Sequence, residues 1–307
     1  MSLVIAPALL VLLQVGPNPN AGGIQGVPDE LANRPPREEA SQQPTNPTSA
    51  WLQTCLDQLD EDPARAHSQA QIKRAESTGT DRVIANHCLG LAATELGLWE
   101  DARTAFQEAK DETPVDDLRT RARFGTMAGN AALGGRNREL ALQLLVAAQQ
   151  DARAAASAPL EAIAAQDAAR VLVALERPGE ALTALETATR LQPDNSDGWL
   201  LTATLLRRLD RLAEAQAAIE RAAGLNPVDG AIGLEAGVIA VLDGREEAAR
   251  QSWQSVVNTQ PNSAAAQTAN GYLAQLGPAP DGTAQPTPEP EPAAPPEPAP
   301  QEESVPR

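Results

Sequence analysis

The sequence contains few residues of the kinds that carry out chemistry. Aromatic residues make up only 2% of its 307 residues, and His67 and His87 are its only histidines. The chain lacks the motifs H-E-x-x-H, G-x-S-x-G and G-x-G-x-x-G and the G-x4-G-K-S/T phosphate loop. We therefore predict a protein that is not an enzyme and that uses neither a cofactor nor a metal ion.

Basic residues are also scarce, and nearly all of them are arginine. Lys73 and Lys110 are the only lysines, and the net charge is −17 with a pI of about 4.5. Because such an acidic surface repels the phosphates of nucleic acids and anionic lipids, we expect no nucleic-acid partner. The abundance of alanine and the preference for arginine over lysine are typical of a bacterial protein encoded by a GC-rich genome.

The sequence has no apolar run of about 20 residues, the length that spans a bilayer. The run from Leu3 to Leu13 is shorter and suits the apolar core of a signal peptide, although no Lys or Arg precedes it. We predict that residues 1–21 are a signal peptide cleaved near Ala21, and that the protein lies in the periplasm or cell envelope. The alternative is a cytoplasmic protein with an apolar N-terminal tail. Membrane contact is expected only through this segment, if it is not cleaved.

Two further segments lack periodic apolar residues. Residues 22–48 are rich in Pro, Asn, Gln and Gly, and residues 278–307 contain 11 prolines and 5 glutamates. Such compositions bury too little apolar surface to offset the entropy lost on ordering. We predict a disordered linker and a disordered Pro/Glu-rich tail. The tail would act either as a ligand for a partner domain or, as we favour, as a solvated spacer.

The region between these segments contains a repeat with a fixed period. Pro193, Pro227 and Pro261 are 34 residues apart. Three further columns keep the same phase: Ala181, Ala215 and Ala249; Leu185, Ile219 and Trp253; Ala188, Ala222 and Val256. A period between about 20 and 50 residues indicates a stacked array of repeats rather than one compact core.

These columns resemble the tetratricopeptide repeat (TPR), a 34-residue pair of helices with the pattern W-x2-L-G-x2-Y, A-x3-F and P. An earlier copy retains the Leu89-Gly90 pair and Phe106. The central copy matches the pattern with Trp199, Thr202, Ala203, Leu206, Ala215, Ile219, Ala222 and Pro227. The resemblance implies an all-α fold, a TPR-like α-solenoid of about five to six helix pairs over residues 49–277. A C-terminal capping helix and disordered tails would complete it.

Turn and capping residues predict several boundaries within this array. Thr48 or Ser49 is expected to cap a helix over residues 50–59, and the helix that Pro63 opens is expected to end at Gly79. Ser263 is expected to cap the last helix, with Tyr272 and Leu276 facing inward. In the unit over residues 117–158, the alanine column steps by 39 and then by 40 residues. This spacing predicts longer helices, the second of which runs on to residue 158, and a local change in curvature.

Cys55 and Cys88 are the only cysteines, and each is predicted to lie in the first helix of adjacent pairs. Three interpretations stay open. A disulfide between them would fit an exported protein, and two separate buried thiols would fit either compartment. A zinc site that includes His67 and His87 is the third, but the spacing lacks C-x2-C or H-x3-H character.

In TPR proteins, the first helices of successive pairs line a concave groove, and the resemblance implies the same groove here. A Lys/Asn clamp for a peptide carboxylate does not occur at the matching positions. What the sequence offers instead is an arginine cluster beside aliphatic residues, which suits an extended or helical peptide with apolar and acidic groups. The alternative is that the aliphatic residues pack on the array's own helices. The predicted groove residues are Gln166, Arg170, Leu200, Thr204, Arg207, Arg208, Leu234 and Val238.

The combination of a repeat array and absent catalytic motifs favours an interaction scaffold that binds an unidentified protein or peptide. Two other roles are compatible with the sequence: a structural module that self-associates, and a noncatalytic regulatory subunit of an envelope complex.

Overall fold

The computed structural model describes residues 47–277, and these residues form helices connected by short turns. The predictions for residues 1–21, for 22–46 and for the tail 278–307 lie outside the described residues. The helices are α1 (Pro47–Glu61), α2 (Pro63–Glu76), α3 (Thr80–Glu95), α4 (Trp99–Glu112), α5 (Leu118–Gly134), α6 (Arg138–Ala154), α7 (Ala158–Ala174), α8 (Pro178–Leu191), α9 (Ser196–Arg208), α10 (Leu212–Leu225), α11 (Gly230–Leu242), α12 (Glu246–Thr259) and α13 (Ala264–Leu276).

The helices follow one another as six pairs and one final helix. From α3 onward, each helix packs against the next in the chain, and several first helices also contact the first helix of the following pair. We call α1, α3, α5, α7, α9 and α11 the first helices and α2, α4, α6, α8, α10 and α12 the second helices. The all-α repeat architecture predicted from the sequence is confirmed.

The repeat columns form the core between the two helices of each pair. Ala181, Ala215 and Ala249 are completely buried, and the larger residues four positions later in each pair are buried as well. The small alanine lets the helices approach closely, and the larger side chain fills the space beside it. Alanine is therefore abundant because it sets the distance between helices and not only because it favours helix formation.

Two glycines show how close this approach is. A Cβ atom at Gly90 would lie 2.5 Å from the Phe106 ring, and one at Gly237 would overlap the indole of Trp253. Phe106 and Trp253 occupy the same column of the repeat, on the second helix of their pairs. A glycine on the first helix thus makes room for the largest residue of the second.

The irregular unit has longer helices, as predicted, but one of its boundaries was predicted wrongly. Helices α5, α6 and α7 each contain 17 residues, whereas α8 to α13 contain 13 or 14. Helix α6 ends at Ala154 and does not run on to residue 158. Ala156 adopts a left-handed conformation with φ 49°, which ends the helix before α7 begins. Alanine is a strong helix former, so Ala156 itself does not indicate the turn; only Ser157 and Pro159, at the start of α7, mark the boundary.

Two of the predicted capping residues act as caps, and two other predicted boundaries differ from the structure. The side chain of Asp62 accepts a hydrogen bond from the backbone N–H of Arg65, and Ser263 accepts one from Ala266, both as predicted. Helix α1 begins at Pro47, three residues before the predicted start, because proline is tolerated in the first turn. The prediction for Gly79 was wrong: α2 ends at Glu76, and Gly79 precedes α3 with φ 59°.

Candidate functional site

The residues predicted for the groove lie on three successive first helices, and we call the surface that they share the first-helix face. Gln166 and Arg170 belong to α7; Leu200, Thr204, Arg207 and Arg208 belong to α9; Leu234 and Val238 belong to α11. Their exposure differs widely. Gln166 is buried, Arg170 and Arg208 are exposed, and the other five are partly buried.

Polar side chains connect neighbouring first helices across this face. Asn130 on α5 donates a hydrogen bond of 2.7 Å to Asp167 on α7. Arg207 on α9 forms an ion pair with Glu235 on α11, with an N–O distance of 2.6 Å. Each of these bonds joins two successive repeats, so part of the polar surface fixes the spacing of the repeats.

Two of the predicted residues are used within the array in this way. The carboxamide oxygen of Gln166 accepts a hydrogen bond of 3.2 Å from Asn195, at the start of α9. Arg207 donates to both carboxylate oxygens of Glu235. Gln166 and Arg207 therefore have structural partners of their own, which the sequence pattern alone did not indicate because those partners lie about 30 residues away.

The other two arginines are more accessible. Arg170 forms an ion pair with Asp167 through Nη1, while no hydrogen bond within residues 47–277 uses its remaining N–H groups. Arg208 makes no ion pair or hydrogen bond with any residue that the structure describes. Since a guanidinium carries five N–H donors, both side chains keep donors for an anionic group.

The aliphatic residues of the face divide their surface between the core and the outside. Leu200 packs against the cluster around Ile219, and Leu234 and Val238 pack against the cluster around Trp253. All three remain only partly buried. One side of each residue therefore packs on the array's own helices, as the alternative interpretation predicted. The other side stays accessible.

A depression of about 180 Å³ lies between α7 and α9 on this face. Val173, Leu185, Leu201 and Leu205 supply apolar walls. The same depression is bordered by the polar residues Arg170, Thr204 and Arg208, three of the eight predicted residues.

The depression coincides with a gap in the contacts between successive first helices. Close backbone contacts join α5 to α7, α9 to α11 and α11 to α13, whereas α7 and α9 make few or none, as is also the case for α1 and α3 and for α3 and α5. The side chain of Leu185 on α8 reaches into the space between them. Helix α7, with 17 residues, is the last of the longer helices, whereas α9 has 13.

The opposite surface, formed by the second helices, also contains a depression that the sequence analysis did not predict. It has a volume of about 460 Å³ and lies between α8 and α10. Leu182, Trp199 and Leu206 contribute apolar surface, and the Trp199 indole N–H donates to the backbone oxygen of Pro193. The repeat pattern identified Trp199 as a motif position of the repeat but did not indicate its partial exposure.

Cys55 and Cys88 are joined by a disulfide in the structure, with their Cα atoms 6.3 Å apart. This separation lies within the range that a disulfide requires. The bond connects α1 to α3 and leaves no thiolate for a zinc ion. The two histidines have other neighbours. His67 Nε2 lies 4.0 Å from Asp101 Oδ2, and the ring of His87 packs edge-on against Phe124 with ring centroids 5.3 Å apart.

The described residues contain no grouping of His, Cys, Asp and Glu suited to holding a metal ion. Across the same range, residues 47–277, no helix has both the length and the apolar character needed to cross a membrane.

Comparisons with known proteins agree with this architecture. The sequence model of the tetratricopeptide repeat family matches residues 167–215 and 200–266. No curated protein matches the chain. Among solved structures, the Pseudomonas aeruginosa pilF protein is 18% identical with a TM-score of 0.56, covering 74% of this chain and 97% of its own. BtubC (BKLC) from P. vanneervenii is 15% identical with a TM-score of 0.52, covering 76% and 95%. At these identities the likeness concerns the fold alone.

Proposed function

We propose that this chain, a tetratricopeptide-repeat protein, is a noncatalytic scaffold that binds a protein or peptide through its first-helix face. Proteins with this fold generally serve as interaction platforms, and their activity depends on the surface that they present. The observation that carries the proposal is the depression between α7 and α9. It combines apolar walls with two exposed arginines, and three of its lining residues were predicted from the sequence.

The chemistry of the face favours a peptide with apolar and acidic groups. Partly exposed aliphatic side chains continue from α9 onto α11 at Leu234 and Val238. An extended segment that crosses these helices would bury apolar surface and place acidic groups near the arginines. The net charge of −17 repels an acidic partner at long range, so the arginines of this face would supply the local attraction that directs its acidic groups here.

We further propose that the scaffold acts in the periplasm or cell envelope of a bacterium. The apolar run at the N-terminus and the disulfide between Cys55 and Cys88 support this location, because disulfides persist in oxidising compartments. The test is fractionation of the native host with an antibody against the chain. Recovery in the cytoplasmic fraction, with both cysteines reactive towards alkylating reagents, would reject the envelope location.

The binding proposal is tested by affinity capture with two matched variants. Thr204→Glu places a charge at the border of the depression on α9, whereas Ala217→Glu places one at an exposed position of the second helix α10. The partner captured by the full chain should be reduced about tenfold by Thr204→Glu and unchanged by Ala217→Glu. Circular dichroism checks that both variants keep their helices. Equal capture by both variants would show that the first-helix face is not the binding face.

The two other roles predicted from the sequence stay predictions, and each has a direct test. Light scattering at two protein concentrations detects self-association, and a strict monomer rejects that role. Co-purification from the native host followed by activity assays detects an enzyme partner. A complex without enzyme activity rejects the role of regulatory subunit.

A further inference from the structure

The depression between α7 and α9 differs from the rest of the first-helix face in the accessibility of its charges. The neighbouring Arg207 is paired across repeats with Glu235. At the depression, Arg208 is exposed and has no partner among the described residues. Glu176 lines an adjoining hollow together with Arg208, but no hydrogen bond or ion pair joins the two.

Arg170, the second arginine of the depression, is bound by Asp167, and both carboxylate oxygens of Asp167 accept hydrogen bonds. Asp167 accepts from Arg170 through Oδ1 and from Asn130 through Oδ2. Only about a tenth of the Asp167 side chain is accessible, whereas 43% of the Arg170 side chain is exposed. Asp167 therefore fixes one N–H group of Arg170, which borders the depression, and leaves most of its other N–H donors free.

The apolar part of the depression has room for one side chain. A cavity of about 150 Å³ is large enough for a benzene molecule, and this depression measures about 180 Å³. Its walls consist of Val173, Leu185, Leu201 and Leu205. An aliphatic side chain the size of leucine or methionine would replace water there and gain free energy from burial.

We infer that this depression is a binding subsite for an aliphatic side chain that lies next to a carboxylate. The apolar walls would take the side chain, and Arg208, assisted by Arg170, would donate hydrogen bonds to the carboxylate. Arginine suits this role because its planar fork of donors matches the two oxygens of a carboxylate. The inference rests on the proposed function, since it names the chemistry that one part of the first-helix face recognises.

A carboxylate of this kind has two sources, and the structure fits both. It is either the C-terminal carboxylate of a partner or the side chain of an Asp or Glu beside the aliphatic residue. The two differ in how far the charge lies from the aliphatic side chain, so small probe molecules separate them.

The test uses methyl-resolved NMR spectra of the full chain and three probes. These are N-acetyl-leucine, which has a terminal carboxylate; N-acetyl-leucyl-aspartyl amide, which has a side-chain carboxylate; and N-acetyl-leucinamide, which has none. The methyl groups of Val173, Leu185, Leu201 and Leu205 report on the depression directly. We expect these signals to shift and at least one acidic probe to bind about threefold more tightly than the neutral one. The tighter acidic probe identifies the source of the carboxylate.

Two variants show whether the preference comes from the subsite. Arg208→Gln should abolish the preference for the acidic probes and leave the binding of N-acetyl-leucinamide unchanged. Arg221→Gln removes an exposed arginine of α10 that has no ion pair among the described residues, and it should leave the preference intact. Unchanged methyl spectra away from the substituted residue show that both variants are folded.

Three results would overturn the inference: equal affinity for all probes, shifts confined to methyl groups outside the depression, or a preference that survives Arg208→Gln. None of them would contradict the proposed function, because Thr204→Glu could still reduce the capture of a partner. Conversely, loss of that sensitivity would reject the proposed function whatever the probes show.

Discussion

The two ends of the helical array are closed in different ways. At the N-terminal end, Cys55 is the only buried side chain of residues 50–61, and its disulfide to Cys88 joins α1 to α3. At the C-terminal end, α13 packs against α11 and α12 through a cluster that includes Trp253 and Ala269. Tyr272 packs on Trp253 with ring centroids 4.9 Å apart.

The difference shows that the helix covering the last apolar face of a repeat array can be attached by apolar packing or by a covalent bond. Each repeat needs a neighbour to bury its apolar surface, so an uncovered end is unstable. The C-terminal end uses two of the chain's few aromatic residues for this purpose. The N-terminal end has less buried apolar surface, and its attachment therefore depends on the disulfide. Its stability should vary with redox conditions and with pH, whereas that of the C-terminal end should not.

The largest effect is expected at the C-terminal end, from Trp253→Ala. The indole is only 4% exposed, fills the space above Gly237 and donates a hydrogen bond to the backbone oxygen of Leu234. We expect a loss of about 3–5 kcal/mol in the free energy of unfolding of this end, measured by denaturant titration with hydrogen exchange.

Trp99→Ala is the control for this substitution, because Trp99 is 37% exposed. It should destabilise the protein clearly less than Trp253→Ala. Equal losses would contradict the view that Trp253 closes the C-terminal end.

At the N-terminal end, the double substitution Cys55→Ser and Cys88→Ser should cost about 2–4 kcal/mol, because the disulfide closes a loop between residues 33 apart. Hydrogen exchange should show reduced protection of α1 and α3 and unchanged protection of α12 and α13. Reduction of the unmodified chain should give the same pattern. If the whole array lost protection equally, the N-terminal end would not be a separately attached element.

Acid should also weaken the N-terminal end. Burial and the nearby Arg123 charge lower the pKa of His87 from 6.5 to about 4. The unfolded chain therefore binds a proton at a higher pH than the folded chain does. This contribution to stability is complete above pH 6.5 and is lost as the pH falls towards 4, by about 3 kcal/mol at most.

The pH effect is measured by following unfolding between pH 7 and pH 4 for the native chain and for two variants. His87→Gln should remove this part of the pH dependence, and His67→Gln should retain it because His87 is still present. A pH dependence that is identical in the native chain and in His87→Gln would contradict the assignment.

The smallest effects concern two matching helix caps. Asp62 and Ser263 each accept a hydrogen bond of 3.0 Å from a backbone N–H three residues later. Substitution of either by alanine should cost about 1 kcal/mol. Asp62→Ala should act on α2 and Ser263→Ala on α13, as detected by local hydrogen exchange. An effect of Ser263→Ala on α2 would show that the two ends are not independent.

The regular parts of this fold were predictable because the positions that keep the 34-residue period are the positions buried between the helices. The positions of Ala181, Leu185 and Ala188 are occupied by apolar residues again after 34 and after 68 residues, and each occurrence lies in the core. The end of α6 could not be predicted, because the turn at Ala156 is made by a residue that normally continues a helix. Local propensity was overridden there by the packing of α7 on α6.

The candidate site was predictable only in part. The resemblance placed Arg170, Thr204 and Arg208 on one face, and the structure brings them to the border of one depression. It did not show that Arg207 has a partner in Glu235, since such a pair depends on the distance between two repeats. The space between α7 and α9 depends on the same kind of long-range packing and has no signal in the sequence.

The most direct test of the account is site-specific photo-crosslinking in the native host. A photoreactive amino acid is placed at Leu200 or Leu234 on the first helices, and at Ala217 or Gln251 on the second helices. The two positions of each pair are 34 residues apart and occupy equivalent places in successive repeats. The account predicts that Leu200 and Leu234 crosslink to the same partner and that Ala217 and Gln251 do not. Crosslinks from Ala217 and Gln251 alone would contradict it.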